Sequence, residues 1–371
     1  MQKILSIVIM LAIGQVSYAQ SIDKIINATE VERIEKILSA DDMEGRRTFT
    51  PGIDKAADFI AAEFRKAGLQ PVKGDSYFQE FAMLKSKFLN ANGTLNGNPI
   101  PEKNIVGLSS QNNIKVNDKS GWTKVNIGEA DTLFPVVMRL LDTKKNYFVT
   151  VHEKHGRMFN GLKRFREQSF ESPSNMILVL SNQAANTYSV EFNQGITRAP
   201  LKNVVGILPG KKKKDEYVIF SGHYDHLGIG KPNEAGDSIF NGANDDASGV
   251  TAVIMLAQYY TQQKDNERTL VFAAFTAEEV GGFGSKHFSE QFDPSKVMAM
   301  FNTEMIGTES KWGTNSAFIT GYEKTDMGTI LEKNLQGSAF KFYPDPYPDQ
   351  QLFYRSDNAT LARQGVPAHT I

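Results

Sequence analysis

Short, continuous apolar runs in residues 201–371 constrain the fold of this chain more than any other feature. Each run is long enough for one strand and lacks polar alternation, which is typical of strands buried on both faces. The runs are Val204–Leu208, Tyr217–Ser221, Leu270–Phe275 and Val297–Phe301. Between the second and the third, residues 248–262 carry apolar side chains at helical spacing. Strands that alternate with helices predict an α/β fold, in which a mostly parallel central sheet is flanked by helices.

Side chains suited to metal binding follow these runs or begin the helix. They are His223 and Asp225, Asp245 and Asp246, Glu278 and Glu279, and Glu304. Ligands of parallel α/β sheets bind beyond the carboxyl ends of the strands. We therefore expect these side chains to gather at one edge of the sheet.

A divalent cation would relieve the repulsion among so many carboxylates, because carboxylates a few Å apart cannot all stay ionised. The chain contains no cysteine, so a metal can be held only by His, Asp and Glu. This donor set favours zinc, with manganese or cobalt as alternatives. In the Glu278–Glu279 pair, one carboxylate can bind metal while the other takes a proton from water.

Each motif, taken alone, also has a purely structural interpretation. A His-x-Asp pair is often a surface or capping pair, two aspartates before a helix form an N-cap, and adjacent glutamates are solvated. Their occurrence together, each at a strand end or a helix start, favours the functional interpretation.

Four motifs resemble those of the co-catalytic zinc aminopeptidases, family 28 of the metallopeptidases, which are relatives of bacterial leucyl aminopeptidase and glutamate carboxypeptidase. The motifs are His223-x-Asp225, Gly242–Gly249, Ala277–Gly281 and Thr303–Gly307. Further similar segments are Asp42–Arg46, Pro51–Gly52, Ala56–Ile60, Arg355–Asp357 and Gly365–Pro367. The resemblance covers roughly residues 40–85 and 200–371.

The resemblance implies two zinc ions. His223 and Glu304 would bind one ion, Glu279 would bind the other, and Asp245 would bridge both. Glu304 stands where many relatives have Asp, and it is one methylene longer but still a carboxylate.

The resemblance also implies roles for the neighbours of these ligands. Glu278 would be the general base. Asp225 and Asp246 would support the ligands from outside the coordination sphere, with Asp225 accepting a hydrogen bond from His223. The peptide bond between Asp245 and Asp246 would be cis.

The family's last ligand, a histidine beyond a Gly-Ile-Pro strand, has no counterpart up to Ile371. His369 comes too early and is predicted to lie within the strand. The second zinc would then have only Asp245 and Glu279 plus solvent. We expect either a core that lacks its C-terminal end, or a site with one firm and one loose metal.

The N-terminus has a charged start, a short apolar stretch at Ile4–Ile13 and small residues at Ser17 and Ala19. This layout predicts a signal peptide at residues 1–19, cleaved after Ala19, and hence a secreted or periplasmic protein. The alternative is a membrane anchor, but the apolar run is shorter than the ~20 residues that a spanning helix needs.

Three further segments complete the predicted domain organisation. Residues 20–84 form the N-terminal part of the peptidase domain, residues 85–200 a β-rich insertion or subdomain, and residues 201–371 the metallopeptidase core. The first segment should contain one helix that opens with a capping box at Thr29–Glu32. A second helix should follow Pro51 and Gly52, with its apolar face starting at Ile53 and its stop at Gly68.

The sequence favours an exported, zinc-dependent exopeptidase, most simply an aminopeptidase, that acts on peptide substrates. A nucleic-acid partner is not expected, because 41 Lys and Arg balance 42 Asp and Glu. Two alternatives stay open: an enzyme similar to glutaminyl cyclases with one zinc, and a binding protein that keeps the peptidase fold without turnover.

Overall fold

The computed structural model describes residues 22–165 and 167–371. The predicted signal peptide lies outside these residues. The chain forms two compact units, and the second is Phe81–Leu201. The first unit consists of the described residues up to Glu80 together with Lys202–Ile371.

The first unit is built on a mixed sheet. Its main strands, in spatial order, are Ala368–Thr370, Val297–Asn302, Lys213–His223, Arg268–Phe275 and the C-terminal part of Tyr188–Leu208. The first four are parallel to their neighbours, but the last is antiparallel to Arg268–Phe275.

The prediction of a mostly parallel sheet is therefore corrected to a mixed one. The reason lies in the connection between Leu208 and Lys213. A parallel crossover needs about a dozen residues or more, and four residues cannot provide it. The Tyr188–Leu208 strand instead runs antiparallel, beyond the Arg268–Phe275 strand.

Helices cover both faces of this sheet. The helices of the first unit are Ile22–Ile25, Ala28–Leu38, Pro51–Ala67, Ser248–Gln263, Phe283–Ser289, Met327–Asn334 and Ala359–Ala362. Its remaining strands are Gln70–Pro71, the start of Phe78–Leu95, Gly228–Ile229, Ile239–Phe240, Ser316–Ile319 and Lys341–Pro344. Short helical turns lie at Asp41–Arg46, Pro294–Lys296, Tyr322–Lys324, Pro348–Gln350 and Leu352–Tyr354.

Alternate residues of the strands enter two different cores, because successive side chains of a strand point to opposite faces. Phe272 packs with Phe64 and Ile254 of two helices. Its neighbour Val271 packs with Phe288 on the other face. The sheet is thus buried on both sides, which explains its continuous apolar runs.

Both helices predicted within residues 20–84 are present, and both begin earlier than expected, the second at Pro51 rather than after Gly52. The second runs over Pro51–Ala67 and ends at Gly68, whose φ of 85° fits the predicted glycine stop. The first covers Ala28–Leu38, and its N-cap is Asn27, whose side chain accepts a hydrogen bond from the Glu30 backbone N–H. The predicted capping box at Thr29–Glu32 was therefore placed too late.

The second unit contains a four-stranded sheet and two helices. The strands, in spatial order, are Ile105–Leu108, Met176–Leu180, Tyr147–Val151 and Thr123–Ile127. The helices Leu133–Asp142 and Gly156–Phe165 pack on one face through a shared core. Its other strands are Asn98–Pro99, Asn113–Asn117, Gln168–Ser169 and the adjoining parts of Phe78–Leu95 and Tyr188–Leu208. The helices Leu133–Asp142 and Gly156–Phe165 of this region were not anticipated.

Within residues 22–165 and 167–371, no helix has both the length and the apolar character that crossing a membrane requires.

Candidate metal centre

Four of the predicted side chains converge at the carboxyl edge of the first unit's sheet. His223 is the last residue of its strand, and Glu304 follows the end of Val297–Asn302. Glu279 follows the Arg268–Phe275 strand, and Asp245 lies in the turn before the Ser248–Gln263 helix. The parallel strands that carry His223, Glu279 and Glu304 end at the same edge, which brings these residues together.

The first group of donors consists of His223, Asp245 and Glu304, with one donor atom of each within 4.8 Å of the others. His223 Nε2 lies 3.2 Å from Asp245 Oδ1. Both atoms are buried without a hydrogen-bond partner, as is Glu304 Oε2. Buried polar atoms that lack partners are unfavourable, so three of them facing one point indicate a position for a cation.

The second group consists of His226, Asp245 and Glu279, whose donor atoms also lie within 4.8 Å of one another. His226 Nδ1 is 2.8 Å from Glu279 Oε1 and 3.9 Å from Asp245 Oδ2. His226 was missed by sequence analysis, which expected only Asp245, Glu279 and solvent here. The available signal was a second imidazole three residues after a predicted ligand.

Asp245 belongs to both groups and directs one oxygen toward each histidine. Ligand atoms about 2.0–2.1 Å from a tetrahedral zinc lie about 3.3 Å apart. The 3.2 Å between His223 and Asp245 agrees with that spacing. Imidazole nitrogens with carboxylate oxygens are also the donors that zinc accepts when thiolates are absent. The residues present therefore fit zinc.

Asp246 organises the backbone around these donors. The peptide bond that joins it to Asp245 is cis, as the resemblance implied. Its fully buried carboxylate accepts hydrogen bonds from the backbone N–H groups of His223, Gly249 and Met305. One side chain thereby ties a strand end, a helix start and the loop after Glu304 together.

Asp225 accepts the hydrogen bond from His223 that the resemblance implied, and it does so through its backbone carbonyl. His223 Nδ1 is 3.1 Å from the backbone carbonyl of Asp225 and 3.8 Å from its carboxylate. Because a carbonyl can only accept a hydrogen bond, Nδ1 carries the ring proton. The unprotonated Nε2 is then the ring nitrogen that can bind a metal. The carboxylate of Asp225 accepts hydrogen bonds from the Glu278 and Glu279 backbone N–H groups and from the Thr48 hydroxyl.

Arg46, within the N-terminal motif Asp42–Arg46, lies fully buried beside the centre. Its guanidinium donates hydrogen bonds to four backbone carbonyls, those of Leu38, Tyr224, Asn241 and Gly242. Its own carbonyl accepts a hydrogen bond from the His226 backbone N–H. Arg46 therefore joins the segment that carries both histidines to the turn that carries Asp245.

Glu278 lies next to these donors without belonging to either group. Burial raises its pKa to about 9; the His223 charge opposes this shift, and Asp357 and Glu304 add to it. Asp357 is itself fully buried, neither of its carboxylate oxygens has a hydrogen-bond partner, and burial raises its pKa to about 7. So many buried acids are consistent with a positive charge at this edge.

His369 lies in the Ala368–Thr370 strand, as predicted, and belongs to neither donor group. Its Nε2 bonds to the Thr325 hydroxyl and its Nδ1 to the Thr320 carbonyl. Both ring nitrogens therefore have structural partners. Among residues 305–371, all of which are described, none joins either group.

Comparisons with known proteins agree with this geometry. A sequence model of peptidase family M28 matches residues 203–371. A probable zinc metalloprotease of Pyrenophora tritici-repentis is 31% identical over 143 residues, which make up 36% of this chain and 32% of the relative. Aminopeptidase YwaD of Bacillus subtilis is 26% identical over 119 residues, or 31% of this chain and 24% of that protein.

The first three curated relatives are matched over only 32%, 23% and 22% of their length, so this chain spans a third of them or less. Among solved structures, an aminopeptidase from Aneurinibacillus sp. strain AM-1 superposes with a TM-score of 0.51 at 16% identity. That superposition covers 95% of this chain and 86% of the other. It supports the mixed α/β fold of these enzymes.

Proposed function

We propose that this chain, whose residues 203–371 match the sequence model of peptidase family M28, is an exported, zinc-dependent exopeptidase that removes residues from the N-terminus of peptides. The observation that carries the proposal is the pair of donor groups that share Asp245, with Glu278 beside them. A centre for one cation would not need the second group, so a cyclase with a single zinc is less well supported.

His223, Asp245 and Glu304 are proposed to hold one zinc ion, and Asp245 and Glu279 contribute to a second position. Zinc bound by these residues would act as a Lewis acid toward a peptide carbonyl and lower the pKa of water. Asp225 and Asp246 hold the backbone of the ligand segments through the hydrogen bonds described above. The ligands thus need little rearrangement on binding.

Glu278 is the proposed general base. A zinc ion held by the neighbouring residues would favour the ionised form of Glu278 and lower its pKa. Its carboxylate oxygen would then take a proton from the attacking water and deliver it to the nitrogen of the leaving amine. Because the Glu278 backbone N–H is bound by Asp225, the carboxylate is held beside the metal ligands without being one of them.

The proposal is tested with the full chain, loaded with zinc and incubated with aminoacyl reporter substrates. Wild type should release the reporter group, and a substrate with an acetylated N-terminus should not react. Glu278→Gln should lower kcat by about 10²–10⁴-fold without loss of zinc. Glu290→Gln, which alters an exposed glutamate, is the matched control and should retain full activity.

Equal turnover by wild type and Glu278→Gln would refute the assigned base. Pyroglutamate formation from a peptide with N-terminal Gln would instead identify a cyclase. Tight zinc binding without turnover of any substrate would identify a binding protein. Finding the mature N-terminus at Gln20 in the exported protein would support cleavage after Ala19 and hence export.

A further inference from the structure

We propose that His226 is a metal ligand, which binds the second cation through Nδ1 and completes a three-donor set with Asp245 and Glu279. This inference rests on the proposed function, since it assigns a further residue to the same centre. The resemblance to the family assigned no role to His226.

The distances around His226 favour coordination. Its Nδ1 lies 2.8 Å from Glu279 Oε1 and 3.9 Å from Asp245 Oδ2. These values lie on either side of the separation of about 3.3 Å between ligand atoms on a tetrahedral zinc. The longer distance is too great for a hydrogen bond. A hydrogen bond between His226 and Glu279 would therefore not explain why Asp245 Oδ2 also points toward the imidazole. A cation shared by the three side chains explains the positions of both carboxylates.

The position of His226 is fixed by close packing. Its backbone N–H donates to the Arg46 carbonyl at 3.2 Å, and its side chain is only 10% exposed. Gly242 has a φ of 61°, and a Cβ at that residue would lie 2.7 Å from both the His226 ring and the Arg46 guanidinium. Glycine is therefore needed where the turn toward Asp245 passes the imidazole.

The competing explanation is that His226 is only a hydrogen-bond partner that orients Glu279. Two substitutions separate the two roles. His226→Ala removes both the hydrogen bond and the ligand. His226→Asn keeps an amide donor near the position of Nδ1 but supplies no imidazole.

The experiment is a zinc titration of the full chain, followed by calorimetry and by NMR of the histidine ring nitrogens. Wild type should bind two equivalents, and the His226 Nδ1 resonance should shift with the second equivalent. Both variants should keep the first equivalent and bind the second more than about 100-fold more weakly, beyond the 10–100-fold loss typical of residues outside the coordination sphere. His152→Ala, a histidine in neither group, should behave as wild type.

Other outcomes overturn the inference. If His226→Asn retains both equivalents, His226 acts as a hydrogen-bond partner only. The same conclusion follows if its Nδ1 resonance stays unchanged as the second equivalent binds. Wild type that binds a single zinc and still cleaves peptides overturns the inference but not the proposed function. Wild type that binds no zinc overturns both.

Discussion

The two histidines of the centre are separated by only two residues, yet they are held in different ways. His223 ends a central strand, its side chain is 1% exposed, and its Nδ1 is fixed by a local backbone carbonyl. His226 lies in the following loop, is 10% exposed, and depends on the Arg46 carbonyl from a distant part of the sequence. The first histidine is positioned by the sheet, and the second by a long-range contact.

This difference suggests that the two cation positions differ in firmness. The donors of the first group include three buried atoms without partners, which a cation would satisfy. In the second group, His226 and Glu279 can satisfy each other by a hydrogen bond when no cation is bound. We therefore expect the first cation to bind more tightly, because its site has no competing internal partner.

The largest effect is predicted for His223→Asn. Loss of this ligand should abolish tight binding of the first zinc and lower kcat by about 10³-fold or more, since Lewis-acid stabilisation contributes several kcal/mol. The measurements are zinc content after dialysis and turnover of an aminoacyl reporter.

His369→Asn is the matched control for that change, because His369 is also buried in the sheet but belongs to neither donor group. It should leave zinc content unchanged even if the protein becomes less stable. If His223→Asn kept its zinc and His226→Asn lost the first equivalent, the comparison between the two positions would be reversed.

Arg46→Met tests the long-range contact on which the second position depends. The substitution leaves four backbone carbonyls without their donor and removes a buried charge beside Asp246 and Asp225. Removing one partner of a buried charged network costs about 3–5 kcal/mol. We expect the free energy of unfolding in urea to fall by that amount, and the second zinc to bind more weakly than it does in wild type.

Arg47→Met provides the control, since Arg47 is exposed. Its free energy of unfolding should stay within about 0.5 kcal/mol of wild type. Indistinguishable unfolding curves for the two variants would show that the Arg46 contacts are not needed to hold the loop.

The sequence allowed much of the first unit to be predicted. Each apolar run became a strand because burial on both faces requires continuous apolar residues. The direction of the Tyr188–Leu208 strand was wrong because periodicity shows that a strand exists but not which way it runs. The short connection from Leu208 to Lys213 carried that information.

The candidate site was predicted where it depends on local order. The proximity of His223, Asp245, Glu279 and Glu304 could be predicted because each follows a strand or precedes a helix. His226 was missed because its approach to Glu279 depends on the path of a loop, which spacing does not reveal. Asp225 was expected to accept a hydrogen bond from His223, and it does so, but the sequence could not show that the accepting atom is its backbone carbonyl rather than its carboxylate.

Glu35 offers the smallest predicted effect, and it sharpens the comparison as a part-buried carboxylate outside both donor groups. Its Oε2 is buried without a hydrogen-bond partner, and burial raises its pKa from 4.5 to about 7 although the Arg46 charge opposes this. A raised carboxyl pKa in the folded state means that stability is full below pH 4.5 and is lost as the pH rises through about 7. We therefore expect Glu35→Gln to gain stability over wild type as the pH rises. The difference between their free energies of unfolding should be about 1–3 kcal/mol more favourable to the variant at pH 8 than at pH 5.

Urea unfolding at both pH values measures this difference, and Glu32→Gln, on the exposed side of the same helix, should lack it. If the difference in free energy of unfolding between Glu35→Gln and wild type were the same at both pH values, the Glu35 carboxyl would be solvated and its burial would carry no cost.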